Sequence, residues 1–276
     1  MDETQTHTVV REGYARVARE KSSCCGPTGG GTTEIDTAKQ IGYSDADLAG
    51  PAATGNLGLG CGNPTAIANL QPGEVVVDLG SGAGFDALLA AEKLGSDGRF
   101  IGVDMTPEML ARARTNAVNA GYARTVEFRE GLIEALPVAS GSADVIISNC
   151  VINLSPDKTT AFREAFRVLK PGGRLAISDI LLTEPLPPEV AQSAAALIAC
   201  LAGAETEDVY VGHIRDAGFV DIELQRRPAG EIFDLATDDP VISAAIAEFG
   251  VERAKQVAGT IFSYTIQATK PRARAG

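Results

Sequence analysis

Five cysteines are the residues of this chain best suited to soft-donor chemistry: the adjacent pair Cys24-Cys25, then Cys61, Cys150 and Cys200. A thiolate is both a nucleophile and a ligand for soft, thiophilic ions. An odd number spread this widely is a poor disulfide framework, and the C-x-x-C spacing of structural zinc is missing. The pair lies in a Ser-, Gly- and Thr-rich stretch, 21–33, whose composition reads as a mobile loop. Cys150 closes the apolar run Val145-Ile146-Ile147-Ser148-Asn149, and Cys200 ends a run of small and aliphatic residues. Taken singly, each cysteine reads as a small buried hydrophobe; a shared role requires the fold to bring them together. His7 and His213, the two histidines, read as surface or packing residues rather than as a catalytic base.

A second set of residues has the spacing of a ligand-binding turn. Val75-Val76-Val77-Asp78-Leu79-Gly80-Ser81-Gly82-Ala83-Gly84-Phe85 is a β-branched run, then an acid, then three alternate glycines leading into a helical pattern. Glycine there lets the backbone turn sharply and a ligand lie against it. Asp104 follows Asp78 by 26 residues, at the end of the apolar run Phe100-Ile101-Gly102-Val103. A carboxylate at that strand end can accept both hydroxyls of a ribose. The spacing Gly80-x-Gly82-x-Gly84 departs from the dinucleotide pattern G-x-G-x-x-G, and Asp78 would repel a pyrophosphate while attracting an ammonium group.

The elements that must position these residues can be read from periodicity. Strands are expected at 74–78, 99–104, 126–129, 143–148 and 174–179, alternating with helices at 85–94, 107–120 and from 157 onward. Thr106, Pro107 and Gly121 provide start and stop signals for one of these helices. Such alternation makes a parallel sheet with right-handed crossovers and gathers the ligand-binding residues at its carboxyl edge. A helix is expected at 3–20, further helices at 188–203, 207–217 and 240–258, strands at 220–225 and 261–269, and a disordered basic tail from Lys270. With 276 residues, 45% hydrophobic and 22% charged, the chain reads as one large soluble α/β unit with appendages. A net charge of −12 without a basic stripe argues against nucleic acid and anionic membranes as partners. The charged amino terminus is no signal peptide, no run reaches the length of a membrane span, and a cytoplasmic location with reduced thiols is expected.

The glycine turn, Asp78, Asp104 and Gly131-Leu132-Ile133-Glu134-Ala135-Leu136-Pro137 together resemble a class I S-adenosylmethionine (SAM) methyltransferase. Adding Ser22-Ser23-Cys24-Cys25-Gly26, 56–64, and Ile146–Lys158 with its Ser-Asn-Cys-Val-Ile-Asn-Leu-Ser-Pro-Asp-Lys segment, the chain resembles the bacterial arsenite SAM methyltransferases from about Val9 to Pro271. The resemblance implies a Rossmann-like sheet, mostly parallel with a final antiparallel strand, an N-terminal cysteine-bearing segment and a C-terminal α+β appendage. It divides the chain into an N-terminal cover (1–70), a SAM-binding core (71–182), an arsenic-binding helix with the rest of the sheet (183–270) and a tail (271–276). Cofactor contacts are implied for Asp78, Gly80, Ser81, Gly82, Gly84, Asp104, Met105, Ile133, Glu134 and Asn149. Arsenic ligands are implied at Cys150, Cys200 and one of Cys24 and Cys25, with Cys61 structural or redox. Arsenite or methylarsenite would arrive as a thiol complex, with thioredoxin or glutathione as reductant. Exchange onto thiolates leads us to expect at least one lowered thiol pKa. Two other readings of the same residues are a C-methyltransferase of a quinone or other small molecule, and a non-catalytic binder of thiophilic ions.

Overall fold

The structure is a computed structural model that describes residues 2–20, 34–188, 200–229 and 250–272. The Cys24-Cys25 pair, residues 189–199 of the expected helix at 188–203, residues 240–249 and the end of the basic tail lie outside the described residues.

Seven strands form one sheet in the order β3-β2-β1-β4-β5-β7-β6. They are β1 (Val75–Leu79), β2 (Arg99–Asp104), β3 (Val126–Glu130), β4 (Ala143–Asn149), β5 (Leu169–Leu182), β6 (Val220–Pro228) and β7 (Ile261–Thr269). Strands β1 to β5 pair in parallel. β7 is antiparallel to both β5 and β6, so it alone runs against the rest, as the resemblance implied.

The side chains of β1 explain why the sheet is covered on both sides. Val77 and Leu79 pack with Ile101, Ile146 and Ile177 beneath α7 (Lys158–Val168) and α8 (Glu207–Asp216). Val76, between them in sequence, points the other way, to Phe100, Val145 and Ile147 beneath α5 (Phe85–Leu94) and α6 (Pro107–Asn119). With successive residues on opposite faces and both faces buried, the strands read as unbroken apolar runs. Helix α1 (Glu3–Glu20) crosses the carboxyl edge and docks on α6 through Arg19–Glu108 (2.7 Å) and Arg112 Nη1 donating to Ala18 O (2.8 Å). Short helices α2 (Glu34–Gln40), α3 (Asp45–Ala49) and α4 (Pro64–Ile67) lie before the sheet, and α9 (Val251–Ala258) lies before β7. No helix among the described residues is long and apolar enough to cross a membrane.

One local expectation holds and two need correcting. Thr106 is the N-cap of α6 and Pro107 opens its first turn, as expected; the Thr106 backbone N–H donates to Asp104 Oδ1 (2.8 Å). The strand expected at 174–179 is longer: β5 begins at Leu169, and Pro171-Gly172-Gly173 is an irregularity within it. The register slips between Ala143 and Val145 there, and Gly172 N donates to Lys270 O (2.9 Å). The described end of the helix expected at 188–203, Cys200–Gly203, is a turn.

Candidate active site

A cleft with about 1050 Å³ of empty space, partly open to solvent, lies along the carboxyl edge of β1, β2 and β4. Its floor is the glycine turn. Gly80 N and Ser81 N both donate to Val103 O (2.8 and 3.0 Å), which folds the turn back onto β2. At Gly80 φ is +74°, and a Cβ would stand 2.4 Å from Val151 Cγ2, so only glycine fits. At Gly82 a Cβ would meet nothing within 4 Å, leaving bare backbone facing the cleft. Gly84 does not line it. Its φ of +86° starts α5, and a Cβ would press on Phe128 at 3.0 Å, so its part is to position the helix.

Asp104 accepts Gly82 N (2.9 Å) on Oδ2 and Thr106 N (2.8 Å) on Oδ1. Each oxygen keeps acceptor capacity for a ligand diol. Ser81 Oγ is buried with no partner among the described residues, although Ser81 lines the cleft. A buried unpaired hydroxyl is costly unless a ligand satisfies it. Met105, Ile133, Glu134 and Asn149 also line the cleft, and Glu134 takes a hydrogen bond from Ser155 Oγ.

Three carboxylates converge here. Asp78 is held well above the usual carboxylate range by burial, then by Asp86 and Asp104. Burial raises Asp86 to about 6 against hydrogen bonds from Tyr43 and Asn149. Asp104 is also raised by its removal from water, although the Thr106 and Gly82 amides oppose this. Crowded anions that resist ionising suit a cationic ligand, and SAM carries a sulfonium and an ammonium group. Its affinity is therefore expected to fall with pH. A cation favours the ionised carboxylates, so protons that bind below about pH 6 compete with it. From pH 7.5 to pH 5 Asp86 alone predicts about tenfold weaker SAM binding, measurable by calorimetry; an unchanged affinity over that range would remove this role.

Two contributors escaped sequence reading. Tyr43 Oη donates to Asp86 Oδ1 (2.7 Å), and Asn149 Nδ2 donates to Tyr43 Oη (3.0 Å) and Gly62 O (2.9 Å). Asp86 sits in the first turn of α5, where an acid is also favoured by the helix dipole, so its sequence signal was ambiguous. Tyr43 had none. His7, read as surface or packing, lines the cleft with Nε2 3.2 Å from Glu134 Oε1. His213 stands clear of the cleft, between Thr159 Oγ1 (2.8 Å) and Glu205 Oε2 (3.1 Å).

The thiols meet above the end of β4. Cys61, Cys150 and Cys200 are all free and buried, in one apolar cluster with Val10, Leu154 and Ile180. Cys200 Sγ donates to Cys150 O (2.8 Å), and Tyr14 Oη lies 3.8 Å from Cys200 Sγ. Cys150 also lines the cleft. Cys150 and Cys200 have φ of +60° and +61°, a left-handed conformation unusual for any residue with a Cβ. Such backbone persists only where its surroundings enforce it, and it clusters at functional sites. Cys150 N donates to Ser178 O (2.7 Å), which fixes the turn out of β4.

The expected lowered thiol pKa is not found among these three. Burial pushes Cys61 up to about 11, against a hydrogen bond with Cys150. Cys200 is raised well above the usual range by its hydrogen bond to Cys150 and then by burial. Cys150 is favoured as thiolate by Cys200, but the Cys61 contact, burial and nearby Asp179 outweigh that and raise it. No described cation reaches close enough to reverse the sign.

Sheet order, glycine turn and strand-end acid define the chain as a SAM-dependent methyltransferase of the Rossmann-like class. A methyltransferase-domain family model matches residues 70–237. An arsenite methyltransferase of Halobacterium salinarum is 43% identical over 98% of this chain and 68% of its own length. One of Aquipseudomonas alcaligenes is 45% identical over 56% of this chain and 46% of its own length. The crystal structure of an arsenic(III) SAM methyltransferase from Chlamydomonas reinhardtii superposes with a TM-score of 0.60 at 29% identity, over 89% of this chain and 76% of that one. The chain belongs to the arsenite methyltransferase family.

Proposed function

We propose that this chain methylates trivalent arsenic with SAM, holding the arsenic on Cys150, Cys200 and one thiol of the Cys24-Cys25 pair. The observation that carries this reading is the contact between two buried, left-handed cysteines, Cys200 Sγ to Cys150 O at 2.8 Å, with Cys150 on the wall of the cofactor cleft.

Raised thiol pKa values suit loading by exchange from an arsenic–thiol complex. In each step one protein sulfur bonds to arsenic, one incoming thiol leaves, and the protein's S–H proton departs with it. No electrons move, and three exchanges leave an uncharged As(SR)₃ pyramid. An apolar pocket accepts a neutral complex at little cost, where three free thiolates would be heavily penalised. Arsenic's lone pair is the nucleophile and carries no proton. A protein base is therefore unnecessary; His7, on the cleft wall, has its Nε2 3.2 Å from Glu134 Oε1.

SAM when bound supplies an electrophilic methyl group on a sulfonium. Asp104 would hold its ribose, the Gly82 backbone and Ser81 Oγ would lie against its amino-acid end, and Ile133 and Glu134 would flank its adenine. Asp78 and Asp86 would balance its positive charge. Cys150 and Cys200 then supply orientation, and α1, through His7, Val10 and Tyr14, limits water entry. Transfer raises the formal oxidation state of arsenic by two. Two electrons from thiols, with glutathione or thioredoxin as the external source in a reducing cytoplasm, return it to the trivalent state.

Arsenic speciation after incubation of the full chain with arsenite, SAM and glutathione tests the assignment. Methylated arsenic, formed with matching S-adenosylhomocysteine, is the expected result. SAM turnover on carbon acceptors alone would overturn it.

A further inference from the structure

Asp179, on β5, is a fully buried carboxylate beside the thiols. One of its oxygens and the sulfurs of Cys61 and Cys150 all lie within 4.8 Å of one another. We propose that Asp179 accelerates methyl transfer by stabilising the positive charge that passes to arsenic, a role that rests on arsenic being the methyl acceptor.

The reaction moves a charge from one side of Cys150 to the other. Arsenic's lone pair becomes the As–C bond, the S–C bond of the sulfonium breaks, and its electron pair stays on that sulfur. The leaving thioether is neutral, and the positive charge now sits on a methylated arsenic bearing three thiolate sulfurs. No proton moves. Asp78 and Asp86 line the cofactor cleft and favour the charge before transfer, so alone they oppose its departure. Cys150 also lines the cleft but Asp179 does not, which puts this carboxylate on the thiol side, where it offsets them.

The anion is held ready. Asp179 Oδ1 accepts Asn153 Nδ2 (2.9 Å) and Ile180 N (2.9 Å), and Oδ2 accepts Tyr210 Oη (2.9 Å). These donors fix the carboxylate without neutralising it, so nothing must reorganise as charge arrives. No ion pair among the described residues includes Asp179; Lys158, the cation that acts on it, lies against Glu205 instead (3.7 Å). Burial raises the carboxyl only to about 6, opposed first by the Tyr210 bond, which leaves it ionised at neutral pH. A buried anion without a counter-ion is costly, and functional sites are where such groups concentrate. Its field already acts on the thiols, raising Cys61, Cys150 and Cys200. A charge that disfavours a thiolate there favours a cation in the same place and is indifferent to a neutral As(SR)₃.

Arsenic on Cys150 stands one bond beyond the sulfur, within roughly 7 Å of the carboxylate; a full charge there, at an effective dielectric of about 20, corresponds to roughly fiftyfold in rate. The charge is only partly transferred at the transition state, so about tenfold is expected.

Single-turnover transfer tests this, on the full reduced chain preloaded with arsenite and mixed with saturating SAM. Asp179→Asn keeps the side chain's shape, with its oxygen toward Asn153 and Ile180, and removes the charge. Transfer should slow about tenfold, and at least about fivefold, while arsenite and SAM each bind no more than about threefold weaker. Arsenite should load no more slowly than in the parent, because losing the carboxylate favours thiolates. A smaller fall in rate, or a fall accompanied by weaker arsenite binding than that limit, would overturn the proposal. If Asp179→Asn loses SAM binding, and hence its fold, Asp179→Ser, smaller and also uncharged, is held to the same limits. No methylated arsenic from the unaltered chain would overturn the arsenic assignment itself, and the role of Asp179 with it.

Discussion

Cys150→Ser is expected to lower arsenite methylation at least about a hundredfold while SAM binds within about threefold of the parent. Serine keeps the Cβ and the same reach, so the left-handed backbone at residue 150 and the Cys150 N to Ser178 O bond (2.7 Å) are not disturbed. Three properties change. The donor becomes a hard oxygen with little affinity for a soft ion. The exchange step loses its sulfur nucleophile, and Cys200 Sγ keeps its hydrogen bond to a carbonyl but loses its neighbouring ligand. The proposed cofactor contacts are on the Gly80–Gly82 turn and Asp104, whose own hydrogen bonds do not involve sulfur. Single-turnover methylation and SAM calorimetry on the same preparation separate the two effects. Parental methylation by the serine variant would mean that arsenic is held elsewhere.

How far the sequence could be read depended on whether a property is local. The placement of Asp78, Gly80, Gly82 and Asp104 around one cleft was legible because strand, turn and strand end lie within one βαβ unit, where spacing dictates position. Cys150 was legible for the same reason, as the residue after a strand. That Gly84 starts a helix and does not line the cleft was not legible, because a glycine that starts a helix and one that faces a ligand look alike in sequence. Tyr43 and His7 were missed because they reach the cleft from elements with no register relation to the sheet. The thiol pKa direction was missed for a physical reason. Cysteine chemistry suggested activation by a neighbouring charge, but burial of three thiols in one apolar cluster, with the Asp179 carboxylate adding to it, acts in the opposite direction. The left-handed backbone at Cys150 and Cys200 leaves no sequence mark at all, since nothing in the residue type announces it.

Gly203→Ala is expected to destroy arsenic turnover without touching either an arsenic ligand or the cofactor. A Cβ at residue 203 would stand 1.9 Å from the carbonyl oxygen of Asn153 and 3.0 Å from its carbon. No backbone oxygen tolerates that, so one of the two segments must move. Asn153 cannot easily do so. Its Nδ2 donates to Asp179 Oδ1 (2.9 Å) and Ile180 O (2.6 Å), and it sits within the 3₁₀ turn Ile152–Leu154. Downstream, Leu182 N donates to Glu205 O (2.9 Å) and Leu182 bridges Thr206, which anchors the far side of the glycine to β5. The displacement is thus directed upstream into Cys200, three residues away, and pulls its sulfur from Cys150. An overpacked contact of this kind costs about 1–3 kcal/mol in stability. A shift of about 1 Å in a positioned ligand lowers turnover roughly a hundredfold. Gly212, inside α8, is the matched control: a Cβ there meets nothing within 4 Å, so Gly212→Ala should leave turnover unchanged and stabilise the helix slightly. Arsenite binding, turnover and thermal midpoint measured on both variants distinguish the cases. If Gly203→Ala turns over like the Gly212→Ala control, the Asn153–Gly203 contact does not position Cys200.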